Sequence, residues 1–259
     1  MNAKKFIIYA LTAFMLSQAA GAQIHPNTPR TYDFELSDIA KRITPVLSFN
    51  ANMHKDGWIW KEGRSSALIE KGMPEDTYEI TKINDIDMAM GENNTATAWV
   101  EGVAGDGIGE FVIIPVKPWT DEISSKLMNG EAAGQLYVRF CICNGFQKSL
   151  EMYYKNNRIK EAKISIYAAA YSCGENDAYL LWNPDCIFEK TITLNDEVIE
   201  NPICLNYQIE NFPVTLPEKY KDKHCELYLK LEIRSVYKGT KYSDTCIADM
   251  SASVSLYDD

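Results

Sequence analysis

The nine residues ADMSASVSL, 248–256, decide the fold class, because apolar and polar side chains alternate along them without a break. Alanine, methionine, valine and leucine stand at the even-numbered positions, and aspartate or serine stand at the odd-numbered ones. Successive side chains of a β-strand point to opposite faces of its sheet, whereas a helix needs apolar residues at intervals of three and four. The pattern therefore predicts a strand with one buried and one solvent-exposed face.

The same period of two recurs through the C-terminal part of the chain. In residues 227–233, leucine and isoleucine alternate with tyrosine, lysine and glutamate. Further strands, separated by stretches that carry Gly, Asn, Asp or Pro, are predicted at 109–116, 135–143, 162–168, 187–194 and 204–210. Seven or more short strands of this kind predict an all-β, jelly-roll β-sandwich.

Helical signal is slight. Residues 120–128 follow a helical pattern that begins at Thr120, a good N-cap residue, and a second short helix is predicted at 33–43. The latter lies within residues 23–63, which also carry three prolines and the pair Trp58 and Trp60. We interpret 23–63 as a short, partly helical N-terminal extension and 64–259 as the β-sandwich domain.

The first 22 residues have the three parts of a signal peptide. Lys4 and Lys5 precede the apolar run 6–16, and Ala20-Gly21-Ala22 is an A-x-A cleavage site. The apolar run is shorter than the roughly 20 residues that cross a bilayer. We therefore expect cleavage after Ala22, a secreted or periplasmic protein, and no membrane span in the mature chain.

Charge and cysteine content narrow the choice of partner and compartment. The formal charge of −10 repels phosphate backbones and anionic lipids, which argues against nucleic acid as a partner. All seven cysteines follow Ala22, and their odd number leaves at least one thiol unpaired in a monomer. A local disulfide between Cys173 and Cys186 and buried, reduced cysteines are both compatible with the sequence.

No motif in the sequence predicts a specific catalytic chemistry. The three histidines are far apart, and neither H-E-x-x-H nor G-x-S-x-G occurs. The glycines at 102, 105, 107 and 109 precede the apolar run 111–114, which is a strand pattern rather than the helix that a phosphate-binding loop needs. We therefore predict a tight connection between strands here.

A pair of carboxylates is the remaining feature of the sequence that could support an enzymatic function. Glu101, Asp106 and Glu110 cluster near one turn, and glycoside hydrolases use two carboxylates that face each other across a cleft. The sequence gives no reason to place any two of them in that way, so the chain is predicted to be non-enzymatic.

Aromatic residues in predicted loops favour a binding function. Aromatic rings stack on the apolar faces of sugars, while amide, carboxylate and guanidinium groups hydrogen-bond their hydroxyls. The candidate ligand-binding residues are Trp119, Asn144, Tyr154, Asn157, Arg158, Tyr171 and Trp182. For each ring, packing in a core is the alternative.

Several short motifs point to one family. They are SSAL at 65–68, TAWVEG at 97–102, GDGIGE at 105–110, NGFQKS at 144–149, NNRIK at 156–160 and VYKGTKYSDTCI at 236–247. In order and spacing this set resembles the NADase-type glycan-binding, or NAD-glycohydrolase translocation, discoidin-like domain of the galactose-binding-like superfamily. The resemblance spans residues 64–257.

The resemblance implies an exported, non-catalytic module that binds a glycan or cell-surface polysaccharide through loops at one end of the sandwich. A structural or protein-interaction component of a cell-envelope or secretion complex is the alternative, and a β-sandwich glycoside hydrolase is a third. The family name refers to an attached glycohydrolase, and no NAD-cleaving activity is implied for this chain.

The resemblance also implies a possible structural Ca²⁺, although no cofactor is otherwise required. Members often have Asp-Gly-Asp before Thr-Ala-Trp, where this chain has Glu92-Asn93-Asn94. They usually have Ser-Glu after Cys-Ile, where this chain has Ala248-Asp249. The candidate oxygen ligands are Glu92, Asn94, Thr97 and Asp249. A hydrogen-bonded turn without metal is the alternative.

Overall fold

The computed structural model describes residues 63–79, 96–173, 179–181, 185–199 and 204–256, together with four short strands nearer the N-terminus. These four are β1 (Arg30–Tyr32), β2 (Phe49–Ala51), β3 (Met53–His54) and β4 (Gly57–Trp58). β1 pairs with β2 and β3 pairs with β4, within a compact unit of their own. The predicted signal peptide and the predicted helix at 33–43 lie outside the described residues.

The second unit carries the remaining strands and the helices α1 (Asp121–Asn129) and α2 (Leu150–Lys155). Its strands are β5 (Gly63–Arg64), β6 (Trp99–Val100), β7 (Phe111–Pro115), β8 (Lys117–Pro118), β9 (Gly134–Asn144), β10 (Arg158–Cys173), β11 (Tyr179–Leu181), β12 (Asp185–Thr193), β13 (Gln208–Leu216), β14 (Cys225–Tyr237) and β15 (Cys246–Ser255). A single 3₁₀ turn covers Glu218–Tyr220.

The strands of the second unit form two sheets. One has the order β11-β10-β14-β7-β5, with β12 also paired to β10, and its pairings are antiparallel. The other has the order β13-β9-β15-β6, and β8 runs parallel beside the end of β15. This architecture confirms the predicted all-β sandwich.

The core lies between the two sheets and follows the period of two. In β15, Met250, Ala252 and Val254 are buried, while Ser251 and Ser253 on the other face remain partly exposed. The same alternation buries Leu136, Val138, Phe140 and Ile142 of β9, and Leu227, Leu229, Leu231 and Ile233 of β14. Each large apolar side chain removed from water in this way contributes about 1.5–3 kcal/mol.

Helix α1 begins where the sequence predicts. The Thr120 hydroxyl accepts a hydrogen bond from the Ile123 backbone N–H at 3.3 Å. The helix ends at Gly130, whose φ of 72° is the left-handed conformation that favours glycine. Ile123 and Leu127 point into the core. No helix among the described residues is long and apolar enough to cross a membrane.

One predicted strand is displaced. The sequence predicts a strand at 204–210, whereas β13 spans Gln208–Leu216. The backbone before β13 is bound instead by the Gln147 side chain, whose Oε1 accepts from Leu205 N at 2.8 Å and whose Nε2 donates to Asn206 O at 2.7 Å. Pro213 is tolerated further along because β13 is an edge strand of its sheet.

Of the two alternatives that the sequence leaves open for Cys173 and Cys186, the strand register excludes the local disulfide. Cys186 pairs across the sheet with Tyr167, which precedes Cys173 by six residues of β10. Six residues of strand span about 20 Å, and a disulfide needs Cα atoms within about 7 Å of each other. The strand register therefore places the two residues too far apart for a disulfide.

Loops cluster at two ends of the sandwich, which we call the α2 end and the α1 end. The α2 end is formed by residues 65–79, 101–110, 145–157, 194–199, 204–207 and 238–245, where β9, β12 and β14 finish and β7, β10, β13 and β15 start. The α1 end is formed by residues 116–133 and 217–224, where β7 and β13 finish and β9 and β14 start.

Candidate functional site

The structure divides the predicted ligand-binding residues between the two ends. Asn144, Tyr154, Asn157 and Arg158 lie at the α2 end. Trp119 lies at the α1 end, where its backbone N–H donates to Val254 O at 2.9 Å near the end of β15. The Tyr171 side chain and the whole of Trp182 lie outside the described residues. The five that are described therefore do not form one site.

Two of the predicted ligand-binding amides hold the backbone together. Asn144 is buried, donates from Nδ2 to Ile159 O at 2.7 Å and accepts at Oδ1 from Ile159 N at 2.9 Å. These two hydrogen bonds fasten the end of β9 to the start of β10, across the two sheets. Asn157 is also buried; it donates to Ser243 O at 2.5 Å and accepts from Gly239 N at 2.7 Å.

Arg158 is the central side chain of the α2 end and is only 4% exposed. Its Nε and Nη2 donate to the two carboxylate oxygens of Asp196 at 2.9 and 2.6 Å, a bidentate ion pair. Its Nη1 donates to the carbonyls of Asn156 and Lys238 at 2.9 and 3.2 Å. One guanidinium thus joins β10 to the segments that follow β12, α2 and β14.

Tyr153 completes this network. Its hydroxyl donates to Asp196 Oδ1 at 2.9 Å, and the Arg158 guanidinium lies 5.2 Å from its ring. Burial and the neighbouring Asp196 carboxylate raise the pKa of Tyr153 above its usual value, so the phenol stays neutral. Gly145 has a φ of 86°, and a Cβ at this position would lie 2.6 Å from Arg158 Cγ.

Two tyrosine rings at the same end remain in contact with solvent. Tyr154 is 40% exposed and Tyr242 is 36% exposed; we call the pair the aromatic platform. Thr240 N donates to Tyr154 O at 2.9 Å, and Tyr242 N donates to Lys155 O at 2.8 Å. Gly239 permits this approach, because a Cβ there would lie 2.4 Å from Lys155 O. The backbone of both platform residues is therefore fixed.

Tyr242 was missed as a candidate ligand-binding residue. The sequence places it in the motif at 236–247, but only the structure shows that its loop lies against the end of α2. The Lys241 ammonium group lies 4.7 Å from its ring centroid. The sequence signal that could have identified Tyr242 is an aromatic residue three positions after a glycine, in the loop between two long strands.

Trp119 offers a separate exposed ring at the α1 end. It is 60% exposed, and the Arg139 guanidinium lies 5.9 Å from its ring. Arg139 projects from β9 opposite Ser253 of β15 and Asn211 of β13. Trp119 thus borders the solvent-facing side of the second sheet rather than the α2 end.

The three carboxylates that suggested hydrolysis each stabilise a loop. Glu101 is buried and accepts from Val103 N at 2.8 Å and Thr245 N at 3.3 Å. Asp106 accepts from Asn157 Nδ2 at 3.2 Å and pairs with Lys238, which lowers the pKa of Asp106. Glu110 accepts from the hydroxyls of Ser65 and Ser66 at the other side of the loop.

Burial of Glu101 makes the fold pH-sensitive. Burial raises the pKa of this carboxyl above its value in the unfolded chain. The native state therefore binds this proton more tightly than the unfolded chain does. The destabilisation that comes from burying the charged carboxylate is absent below the unfolded-state pKa and complete above the folded-state pKa. We expect the free energy of unfolding of the wild type to fall, relative to that of Glu101→Gln, as pH rises from 4 to 7 in urea titrations. A constant difference across this range would contradict the assignment.

The structure describes two of the four predicted calcium ligands, Thr97 and Asp249. Glu92 and Asn94 lie outside the described residues. Continuing the register of β6 and β15 by two residues places Thr97 opposite Asp249, which is buried. No group of three or more His, Cys, Asp or Glu side chains in the described part of the chain is arranged to hold a metal ion. The calcium site stays a prediction.

Four chains among the solved structures match this protein, including two distant similarities. One is the arabinofuranosyltransferase AftD from mycobacteria, with 11% identity, a TM-score of 0.32, and coverage of 88% of this chain but 13% of that chain. The other is a cleaved adhesin domain of Lys-gingipain from Porphyromonas gingivalis, with 15% identity, a TM-score of 0.24, and coverage of 77% and 83%. Neither similarity is strong enough to support an argument about function.

Comparison with protein families is decisive. No curated protein matches this sequence. The family model described as NAD glycohydrolase translocation F5/8 type C domain matches residues 54–253, which is more than half of the chain and includes both sheets of the sandwich. The chain therefore belongs to the NAD glycohydrolase translocation F5/8 type C domain family.

Proposed function

We propose that this protein is an exported, non-catalytic module that binds a glycan at the α2 end of its sandwich. The observation that supports this most strongly is the aromatic platform, in which the exposed rings of Tyr154 and Tyr242 rest on backbone segments bonded to each other. Membership of a discoidin-like family agrees with a module that recognises rather than transforms its ligand.

The platform suits a sugar for two physical reasons. A tyrosine offers an apolar face for the C–H groups of a pyranose and a hydroxyl for its polar edge. Because hydrogen bonds already fix the backbone of both residues, little conformational entropy is lost when a ligand binds. Lys241, which is exposed beside Tyr242, adds a donor for sugar hydroxyls or carboxylates.

The experiment is a glycan array that covers bacterial cell-surface polysaccharides and host glycans, followed by calorimetric titration of the strongest hit. We expect Tyr154→Ala and Tyr242→Ala each to weaken binding by about tenfold, the loss of one aromatic contact worth about 1.4 kcal/mol. Tyr154→Phe and Tyr242→Phe should retain most of the affinity, because each keeps its ring.

Trp119→Ala is the matched control, because it removes an exposed ring at the opposite end. It should leave the affinity unchanged, and thermal unfolding should show that none of these surface variants is unfolded. Loss of binding in Trp119→Ala with normal binding by both tyrosine variants would move the site to the α1 end. A blank array together with a blank cell-wall pull-down would contradict glycan binding altogether.

A structural or protein-interaction role is the second candidate, and one observation favours it. Ile69 and Met73 in segment 65–79, and Val103 and Ile108 in loop 101–110, are exposed apolar side chains at the α2 end. Exposed apolar clusters commonly mark protein contacts. Co-purification of an envelope protein that is lost in Ile69→Ser and Ile108→Ser but kept in the tyrosine variants would support this role. No comparable observation favours hydrolysis.

A further inference from the structure

Two cysteines that are distant in sequence meet beside the second sheet. Cys143 is the penultimate residue of β9, and Cys204 lies in the connection that leads into β13. Their exposed fractions are 0% and 5%, and the two thiols are close enough to influence each other's ionisation. With Ala248 they form a small apolar cluster against which Tyr207 packs.

The other buried cysteines of the described residues have a different setting. The Cys225 thiol donates to the carbonyl of Glu226 at 3.7 Å, and the Cys246 thiol donates to the carbonyl of Asp244 at 3.8 Å. These are the contacts expected of single buried thiols that act as small apolar side chains. Cys143 and Cys204 instead lie together in one small cluster of buried side chains.

We propose that Cys143 and Cys204 are joined by a disulfide bond when the protein folds in an oxidising compartment. The proposal uses the burial of both cysteines in one small cluster and the predicted export of the chain, and it does not depend on what the α2 end binds. Disulfides persist in secreted and periplasmic proteins, where the thiol–disulfide balance favours them.

The chemistry is thiol–disulfide exchange with a small-molecule or protein disulfide. One of the two cysteines, as the thiolate, attacks the donor disulfide, and its sulfur forms a mixed disulfide as the first donor thiol leaves. The sulfur of the other cysteine then attacks the mixed disulfide and displaces the second donor thiol. The donor takes up both electrons and both protons.

The bond would stabilise the loops of the α2 end. The connection between β12 and β13 contains Asp196, which binds Arg158, and Leu205, whose N–H donates to Gln147. A disulfide between Cys143 and Cys204 would fix the C-terminal part of this connection to β9. Closing a loop of about 60 residues restricts the unfolded chain, and we expect a rise in melting temperature of about 5–10 °C.

The test is peptide mapping by mass spectrometry under non-reducing conditions, on the full chain refolded from denaturant in a mixture of oxidised and reduced glutathione. We expect a peptide containing Cys143 linked to one containing Cys204, and a lower melting temperature after addition of dithiothreitol. Cys143→Ser and Cys204→Ser should each abolish the dithiothreitol effect. Cys186→Ser, which alters an exposed thiol, should retain it.

Two results would overturn the proposal. One is full alkylation of all the cysteines after denaturation without reductant. The other is a link from Cys204 to a different cysteine, such as Cys141, which lies on the same strand as Cys143. Mapping of the wild type decides between these outcomes even if a serine variant fails to fold.

Discussion

Replacing Arg158 with alanine should lower the free energy of unfolding by about 3 kcal/mol, the scale on which breaking a desolvated ion pair destabilises a protein. The reason is that Asp196 would lose both of its guanidinium hydrogen bonds, and the carbonyls of Asn156 and Lys238 would lose a donor. Asp196 is 25% exposed, and a charged group that is largely removed from water costs more to leave unpaired than the net strength of the bond. Equilibrium urea unfolding measures the loss.

Lys163→Ala is the matched control for this experiment. Lys163 pairs with Glu189 at 2.6 Å on the face of the first sheet, where both side chains are more exposed. Exposed pairs contribute at most about 1 kcal/mol. Arg158→Lys should not restore stability, because a lysine cannot donate to both oxygens of Asp196 in the same geometry. If Arg158→Ala cost no more than Lys163→Ala, the central role of Arg158 would be refuted.

Replacing Trp99 with alanine should cost about 3–5 kcal/mol, the range for removing a large aromatic side chain from a core. Trp99 is completely buried between the sheets, and its Nε1 donates to Ser66 O at 2.9 Å. Trp99→Phe keeps a ring but leaves that carbonyl without its donor, and should cost about 1–3 kcal/mol. Urea unfolding of the Phe variant remains measurable if the Ala variant does not fold.

Trp119→Ala provides the comparison within the same chain. Its ring is mostly in water, so its removal should change the free energy of unfolding by less than about 0.5 kcal/mol. An equal loss in the free energy of unfolding for Trp99→Ala and Trp119→Ala would mean that Trp99 is not in the core. That outcome would contradict the placement of the family motif TAWVEG at the sheet.

Much of the fold could be predicted because strand periodicity is a local signal. The alternation in 248–256 and 227–233 required no knowledge of the partner strands, and both segments form strands as predicted. Helix α2 was missed because its six residues are too few for a helical pattern, although Ser149 caps it by accepting from Met152 N. The start of β13 was displaced because Gln147, distant in sequence, binds the residues before it.

The candidate site was harder to predict, because residue type does not reveal the partner. Asn144, Asn157 and Arg158 have the chemistry of ligand-binding groups, yet their partners Ile159, Ser243 and Asp196 are found only in the folded chain. The separation of Trp119 from Tyr154 has a simpler cause. Strand β9 lies between them in the sequence and runs once from one end of the sandwich to the other. Residues before β9 and residues after it therefore lie at opposite ends.

The central claim, that recognition takes place at the α2 end, is tested most directly by hydrogen–deuterium exchange of the protein with and without the strongest glycan from the array. Exchange resolves backbone segments, so it separates the two ends without any substitution. We predict that the glycan slows exchange in residues 150–156 and 238–243. Protection confined to residues 117–119 and the middle of β9, or no protection at either end, would contradict the claim.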